Sequence, residues 1–218
     1  MSFTATANKS EGGGFEKAPA GTHPAVLVGI IDLGEQWVEP FGNGKGDNGK
    51  EQKATWKRQL YYVYELVTKK KAGAGGNHLI AIDLNFSMNE KAKMRKWVEA
   101  RTGKKIPDGT DYDVMNELGQ PVLLTVEMKG DFPRISGVTG IPEGYTVPAP
   151  HVKPVAWKVD PAKLAEIPSW VPYLYGRKIA DVVRECRAIK GERREQPKRE
   201  TVGAGVGDDD TRDETIPF

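Results

Sequence analysis

Two segments of the chain, 57–68 and 78–88, alternate apolar and polar residues with a period of two, which restricts both to β-strands that bury one face. An amphipathic helix would instead repeat its apolar residues every three or four positions. The opposite face of the first segment is mixed and carries the aromatic Tyr61. The predicted buried faces consist of Leu60, Tyr62, Tyr64 and Leu66 in the first segment and of Ile80, Ile82, Leu84 and Phe86 in the second.

Three further strands and a helix complete the predicted domain. The segment 22–33 is aliphatic with Gly29 in its middle, which predicts a strand that bends at the glycine. The segments 121–129 and 132–139 predict two strands joined by a turn at Gly130-Asp131. Between the third and fourth strands, Ser87 and Glu90 match a helix capping box. This order predicts a mainly β fold with some α-helix, of the OB-fold class: a five-stranded Greek-key barrel with its helix between strands 3 and 4.

The C-terminal part of the chain adds a helix, a linker and a tail. An apolar stripe that includes Ile179, Val183 and Cys186 predicts an extra C-terminal helix over about 172–190. The charged, then Gly-rich residues that follow predict a segment without regular structure. The expected organisation is a flexible N-terminal arm (1–17), an OB-fold domain with its C-terminal helix (18–190), a flexible linker (191–207) and a disordered acidic interaction tail (208–218).

The segment 208–218, DDDTRDETIPF, cannot contribute to a core because it combines five acids and one Arg with few apolar side chains. The whole chain has a net charge of +2, so the −4 of this tail leaves +6 on residues 1–207. A basic body attracts polyphosphate, and an acidic tail that ends in a ring fits an apolar pocket with a basic rim. The expected partner-binding residues are Asp208, Asp209, Asp210, Asp213, Glu214, Ile216, Pro217 and Phe218.

The tail resembles that of bacterial and bacteriophage single-stranded DNA-binding proteins, which end in an Asp-rich run followed by Ile-Pro-Phe. The body resembles the bacteriophage proteins in GTHPAVLVGIIDLG (21–34), Tyr64-Glu-Leu66, NFSMNEKAKMRKW (85–97) and IPSWVPYLYGRKI (167–179). The resemblance implies a non-catalytic protein that coats single-stranded DNA with little sequence preference. It also implies recruitment of replication, recombination or repair enzymes through the tail, in the cytoplasm of the bacterial host if the protein is phage-encoded.

Cations and flat rings, which bind the phosphates and bases of a single strand, occur together on the second predicted strand and in the loop before it. Further cations follow that strand and flank the last hairpin. The loop also contains Phe41. The expected DNA-binding residues are Trp37, Lys45, Lys50, Lys53, Trp56, Lys57, Arg58, Tyr61, Lys69, Lys70, Lys71, Lys129 and Arg134.

Alternatives from other classes remain open. Asp83 and Glu127 could meet as a Mg²⁺-binding pair in a nuclease or another DNA-processing subunit, and an RNA-binding regulator or annealing protein would share the same composition. Cys186 is the only cysteine and the three histidines lack ligand spacing, so we expect neither a metal nor a cofactor. The longest apolar run, 25–31, is too short to cross a bilayer, so we expect a soluble cytoplasmic protein without a membrane partner. Whether it forms a homo-oligomer stays open.

Overall fold

The computed structural model describes residues 17–39, 53–71 and 76–191. The strands are β1 (Gly21–Val38), β2 (Thr55–Lys70), β3 (Asn77–Asn85), β4 (Pro121–Lys129), β5 (Phe132–Thr139) and β6 (Val155–Trp157). The α-helices are α1 (Lys93–Thr102), α2 (Ile179–Arg184) and α3 (Arg187–Lys190), and 3₁₀ helices span Val114–Glu117 and Pro161–Glu166. The predicted mainly β fold is therefore confirmed. Among the described residues, no helix has the length and apolar character needed to cross a membrane.

The strands form one sheet in the order β3-β2-β1-β4-β5, in which every neighbouring pair is antiparallel. The short β6 pairs with β1 in parallel and was not predicted. Cα atoms of the edge strands β3 and β5 approach within 8 Å, but no backbone ladder joins these strands. The sheet is open, so the closed barrel is not confirmed. Helix α1 contacts both edge strands, and its side chains Met94 and Trp97 enter the core at the opening.

Strand β1 bends at two interruptions of its register with β2. One lies between Leu27 and Gly29, as the glycine predicted, and the other lies between Asp32 and Gly34. A Cβ atom at Gly29 would lie 3.1 Å from Cβ of Val63, so a side chain there would crowd the neighbouring strand. The bends allow β1 to pair with β4 through its first part and with β2 along most of its length.

A first core cluster lies between the sheet and α1, and it contains the predicted face of β2. Tyr62 and Tyr64 are buried there, with the two rings 6.5 Å apart in an edge-to-face arrangement. Nε1 of Trp97 donates a hydrogen bond of 2.8 Å to the hydroxyl of Tyr64, which ties α1 to the centre of the sheet. The assignment of this face to the core is confirmed.

A second core cluster lies on the opposite face of β1 and β2, beneath a covering segment that we define as residues 147–189. Trp157, Leu174 and Val183 of this segment pack over Val63 and Tyr61 of β2. The face predicted to be mixed is therefore buried, and Tyr61 is only 3% exposed. The sequence pattern did not reveal this because the covering residues lie about 90–120 positions further along the chain.

The covering segment is anchored by the buried carboxylate of Glu65. Its two oxygens accept the backbone N–H groups of His151 at 2.7 Å and Val152 at 2.8 Å. The side-chain amide of Asn77 donates a third hydrogen bond. Because an unpaired carboxylate is costly to bury, these donors fix the position at which the segment reaches the sheet.

Both helix predictions need correction. The C-terminal helix does not span 172–190, because Leu174–Arg177 forms a tight turn and Cys186 has an extended backbone that separates α2 from α3. Helix α1 begins at Lys93 and its N-cap Ala92 makes no side-chain cap hydrogen bond. Ser87 Oγ instead accepts the N–H of Asn89, so the capping box does not form.

Candidate functional site

A basic groove of about 500 Å³ opens where β2 begins, β3 ends and the chain leads into α1. Strand pairing places Gln59 beside Asn85, which is the last pair between these strands. The segment after β3 then turns past the start of β2, because the N–H of Phe86 donates to the carbonyl of Arg58 at 2.8 Å. The groove is lined by Lys57, Arg58, Asn85, Phe86, Ser87, Asn89, Lys91, Ala92 and Lys93.

Arg58 is held at the groove by a buried acid. Its Nη2 donates to Oδ2 of Asp32 at 2.6 Å and its Nε to Oδ1 at 3.3 Å. Oδ1 also accepts the N–H of Gly34 at the second bend of β1. The hydrogen bonds to Asp32 raise the pKa of the Arg58 guanidinium above its usual value. The guanidinium is therefore fixed in orientation and remains charged.

Phe86 lies beneath this guanidinium. The carbon at the centre of the Arg58 guanidinium lies 5.2 Å from the centroid of the Phe86 ring, a cation–π geometry. The Phe86 side chain is nevertheless 41% exposed, whereas the alternating pattern assigned it to the core. It escapes burial because β3 ends one residue earlier, at Asn85, and the groove lies beyond that end. An exposed ring beside an oriented cation can stack against a planar ligand.

The groove is positively charged. Lys57 and Lys91 are exposed and have no carboxylate partner among residues 17–39, 53–71 and 76–191. Nζ of Lys93 lies 6.0 Å from the centroid of the Trp97 ring. The negative charges nearby are paired with cations. Asp32 is paired with Arg58, and the exposed Glu35 lies 3.8 Å from Nη1 of Arg187. The electrostatics favour an anionic ligand.

Two indoles lie at the end of the β1–β2 ribbon, one on each strand. Trp37 and Trp56 are direct partners in the β1–β2 ladder, and their ring centroids lie 5.3 Å apart at an interplanar angle of 70°. Both side chains are half-buried. The β1–β2 ribbon carries them beyond the end of β3, next to the exposed Lys53. The structure therefore groups Trp37, Trp56, Lys57 and Arg58, and it places Trp37 on β1 where the sequence predicted a loop. Their contact with DNA stays a prediction.

Other predicted DNA-binding residues lie elsewhere. Lys69, Lys70 and Lys71 lie at the far end of β2, about 40 Å along the strand from Arg58 at roughly 3.3 Å per residue. Lys129 and Arg134 lie on the β4–β5 hairpin. Tyr61 is buried under the covering segment, where its hydroxyl donates to the carbonyl of Tyr173 at 3.1 Å, so the prediction that it contacts DNA is wrong for this conformation. Phe41, Lys45, Lys50 and the whole tail, including Phe218, lie outside the described residues.

Asp83 and Glu127, considered above as a Mg²⁺-binding pair, lie on different strands and face other residues. Oδ1 of Asp83, on β3, accepts a hydrogen bond of 3.0 Å from the hydroxyl of Tyr175. Glu127 is exposed on β4 and is paired in register with Arg134 of β5. Within the described residues, no group of three or more His, Cys, Asp and Glu side chains is close enough to hold a metal ion.

Several groove residues were missed from the sequence, namely Asn85, Phe86, Lys91 and Lys93. The signal was present in NFSMNEKAK (85–93), where an aromatic residue just after the strand is followed by polar residues and by Lys91 and Lys93. No protein-family model matches the chain, and no curated protein and no solved structure matches it significantly.

Proposed function

We propose that this protein is a non-catalytic, largely sequence-independent single-stranded DNA-binding protein and that the strand lies in the basic groove. The observation that carries the proposal is the exposed Phe86 ring beneath the oriented guanidinium of Arg58, with the exposed Lys57 and Lys91 beside it. Single strands are bound by this combination of cations for the phosphates and rings for the bases, with stacking worth about 1–3 kcal/mol per base.

The groove suits a strand because its charge is spread over several lysines, which can each neutralise a different phosphate. The strand order β3-β2-β1-β4-β5, with α1 between β3 and β4, supports an open variant of the OB-fold. In this protein the covering segment occupies the outer face of β1 and β2, so the bound strand would follow the groove and the edge of β3.

The biological role proposed is in phage DNA replication, recombination or repair. The sequence of the tail 208–218 supports recruitment of partner enzymes, since its acids and its terminal Ile-Pro-Phe fit a basic-rimmed apolar pocket. Single-stranded DNA and the recruited replication or repair proteins are the proposed partners.

The test is a fluorescence titration of the full chain with oligo-dT at several salt concentrations. Each phosphate contact contributes about −0.7 to the slope of log K against log salt, so four to six contacts predict a slope of about −3 to −4. Lys57→Gln and Lys91→Gln should each reduce the magnitude of the slope by about 0.7. Lys104→Gln, just beyond the opposite end of α1, is the matched control and should leave the slope unchanged.

Two outcomes contradict the proposal. Absent or salt-independent binding of oligo-dT would refute DNA binding in the groove. Metal-dependent cleavage of the oligonucleotide by purified protein would replace the non-catalytic assignment with a nuclease. Competition with oligo-rU separates DNA from RNA specificity, because tighter RNA binding favours the RNA-binding alternative.

A further inference from the structure

An exposed tyrosine occupies a strained position at a two-residue turn in the covering segment. Leu174 and Arg177 exchange backbone hydrogen bonds of 2.9 Å in both directions, which closes the turn around Tyr175 and Gly176. Both central residues have positive φ, 50° and 77°, as in a type I′ turn. Asn, Asp and Gly are usual at the first of these positions, and a residue as large as tyrosine is disfavoured there. Among the described residues, Tyr175 is the only non-glycine with positive φ.

The surrounding structure holds this strained tyrosine in place. Its hydroxyl donates to Oδ1 of Asp83 at 3.0 Å. The turn is supported from below, since the buried Tyr61 donates to the carbonyl of Tyr173. Even so, Tyr175 is 70% exposed. Packing therefore does not account for a ring at this position. Backbone strain of this kind is concentrated at binding and catalytic sites.

The ring lies on the path expected for a bound strand. Asp83 and Asn85 point to the same face of β3, about 7 Å apart along the strand, and Asn85 lines the basic groove. Partial burial and Asp83 raise the pKa of the Tyr175 hydroxyl above its usual value, and the positive charge of Arg134 on β5 opposes this rise. Arg134 is exposed and makes no ion pair with another residue of the described ranges. A cation thus lies on β5, the edge strand whose Cα atoms approach those of β3 within 8 Å.

We propose that Tyr175 is a stacking platform for a base of the single strand, where the strand continues from the basic groove across the edge of β3 toward Arg134. The inference rests on the proposed function and names a binding residue contributed by the covering segment. The hydroxyl bond to Asp83 restricts the motion of the ring, and the ring itself supplies the stacking contact. Arg134 neutralises a phosphate beside the stacked base.

Tyr175→Asn is the informative substitution because asparagine adopts this turn position more readily than tyrosine. It removes the ring while keeping the turn, so the urea midpoint should stay equal or rise. Affinity for oligo-dT should fall roughly 5- to 150-fold, the range that corresponds to one lost stacking contact. Tyr145→Asn is the control, since Tyr145 is also an exposed tyrosine but follows the opposite end of β5 from Arg134.

Tyr175→Phe separates the ring from the hydroxyl. It should retain most of the affinity that Tyr175→Asn loses, because the stacking surface remains. A second readout is photocrosslinking to an oligonucleotide containing 5-iodouracil, with the adduct expected on the peptide that contains Tyr175 in the wild type and lost in Tyr175→Asn.

The outcomes distinguish this inference from the proposed function. If the wild type fails to bind oligo-dT, the proposed function itself fails. If the wild type binds but Tyr175→Asn stays within about twofold of it, or Tyr175→Phe binds as weakly as Tyr175→Asn, the stacking role is refuted while DNA binding stands.

Discussion

Glu65→Gln should release the covering segment from the sheet. The Glu65 side chain is fully buried, and three donors converge on its oxygens: the N–H groups of His151 and Val152 and the amide of Asn77. This arrangement requires acceptors only, which a carboxylate supplies and an amide does not. Glutamine preserves the volume but turns one acceptor into a donor that faces another donor.

The magnitude follows from these contacts. A hydrogen bond to a charged group contributes about 1.5–3 kcal/mol, and an unsatisfied buried donor costs about 1–3 kcal/mol. The glutamine carbonyl can still accept the two bonds that Oε1 accepts, but the amide then faces the N–H of Val152, so we expect a net loss of about 2–4 kcal/mol in the free energy of unfolding. At about 2–4 °C per kcal/mol for a chain of this size, Tm should fall by about 4–16 °C.

Urea denaturation followed by circular dichroism measures the global loss, and hydrogen exchange locates it. Backbone amides of His151 and Val152 should lose protection in Glu65→Gln. Glu35→Gln is the control because that carboxylate is exposed on β1, and its effect should stay within about 0.5 kcal/mol. Equal stability of the two variants, or unchanged protection at His151 and Val152, would refute the anchoring role of Glu65.

Three further perturbations test the packing and the electrostatics. Tyr61→Ala should lower the free energy of unfolding by about 3 kcal/mol or more, because the ring is buried. Tyr61→Phe should lower it by only about 1 kcal/mol, because it loses only the hydrogen bond to Tyr173. Equal urea midpoints for the two variants would mean that the ring is not buried. Gly140→Ala should lower the free energy of unfolding by about 1–3 kcal/mol, because its Cβ would lie 2.4 Å from the carbonyl oxygen of Arg101. Gly137→Ala is the matched control, because the nearest atom to its Cβ lies 3.8 Å away. A lower Tm for Gly137→Ala than for Gly140→Ala would contradict the structure. The N–H of Ile106, together with Arg95, lowers the pKa of Glu99 below its usual 4.5, so this carboxylate stabilises the fold above that pH and its contribution is lost as the pH falls through the lower, folded value. Glu99→Gln should therefore flatten the decline of stability below about pH 4.5, and an unchanged acid profile would contradict this assignment.

Features that depend on neighbouring residues could be read from the sequence. Alternation identified β2 and β3 and the buried face of Tyr62 and Tyr64, because the period of a strand is fixed by its own backbone. Gly29 marked the first bend of β1, and Gly130-Asp131 marked the turn between β4 and β5. The order of strands and helix followed from these segments.

Helix ends were less predictable than strands. Ser87 and Glu90 have the spacing of a capping box, yet the chain at that point turns past Arg58 to line the groove, and α1 starts later. In the C-terminal segment an apolar stripe suggested one helix, but the stripe reflects packing against the sheet by two short helices after a turn. Periodicity reports which residues are buried and does not show whether the backbone between them is continuous.

Tertiary structure alone decided which surfaces remain available for binding. Tyr61 has the sequence context of an exposed stacking residue, and it is buried because residues remote in sequence cover its face. Phe86 has the pattern of a core residue, and it is exposed because β3 ends before it. The sequence by itself determined the five longer strands, their order along the chain and the acidic tail, since these follow from local pattern and composition. The groove forms only when Asp32, Arg58 and Phe86 come into contact, and these residues lie in segments that only folding brings together.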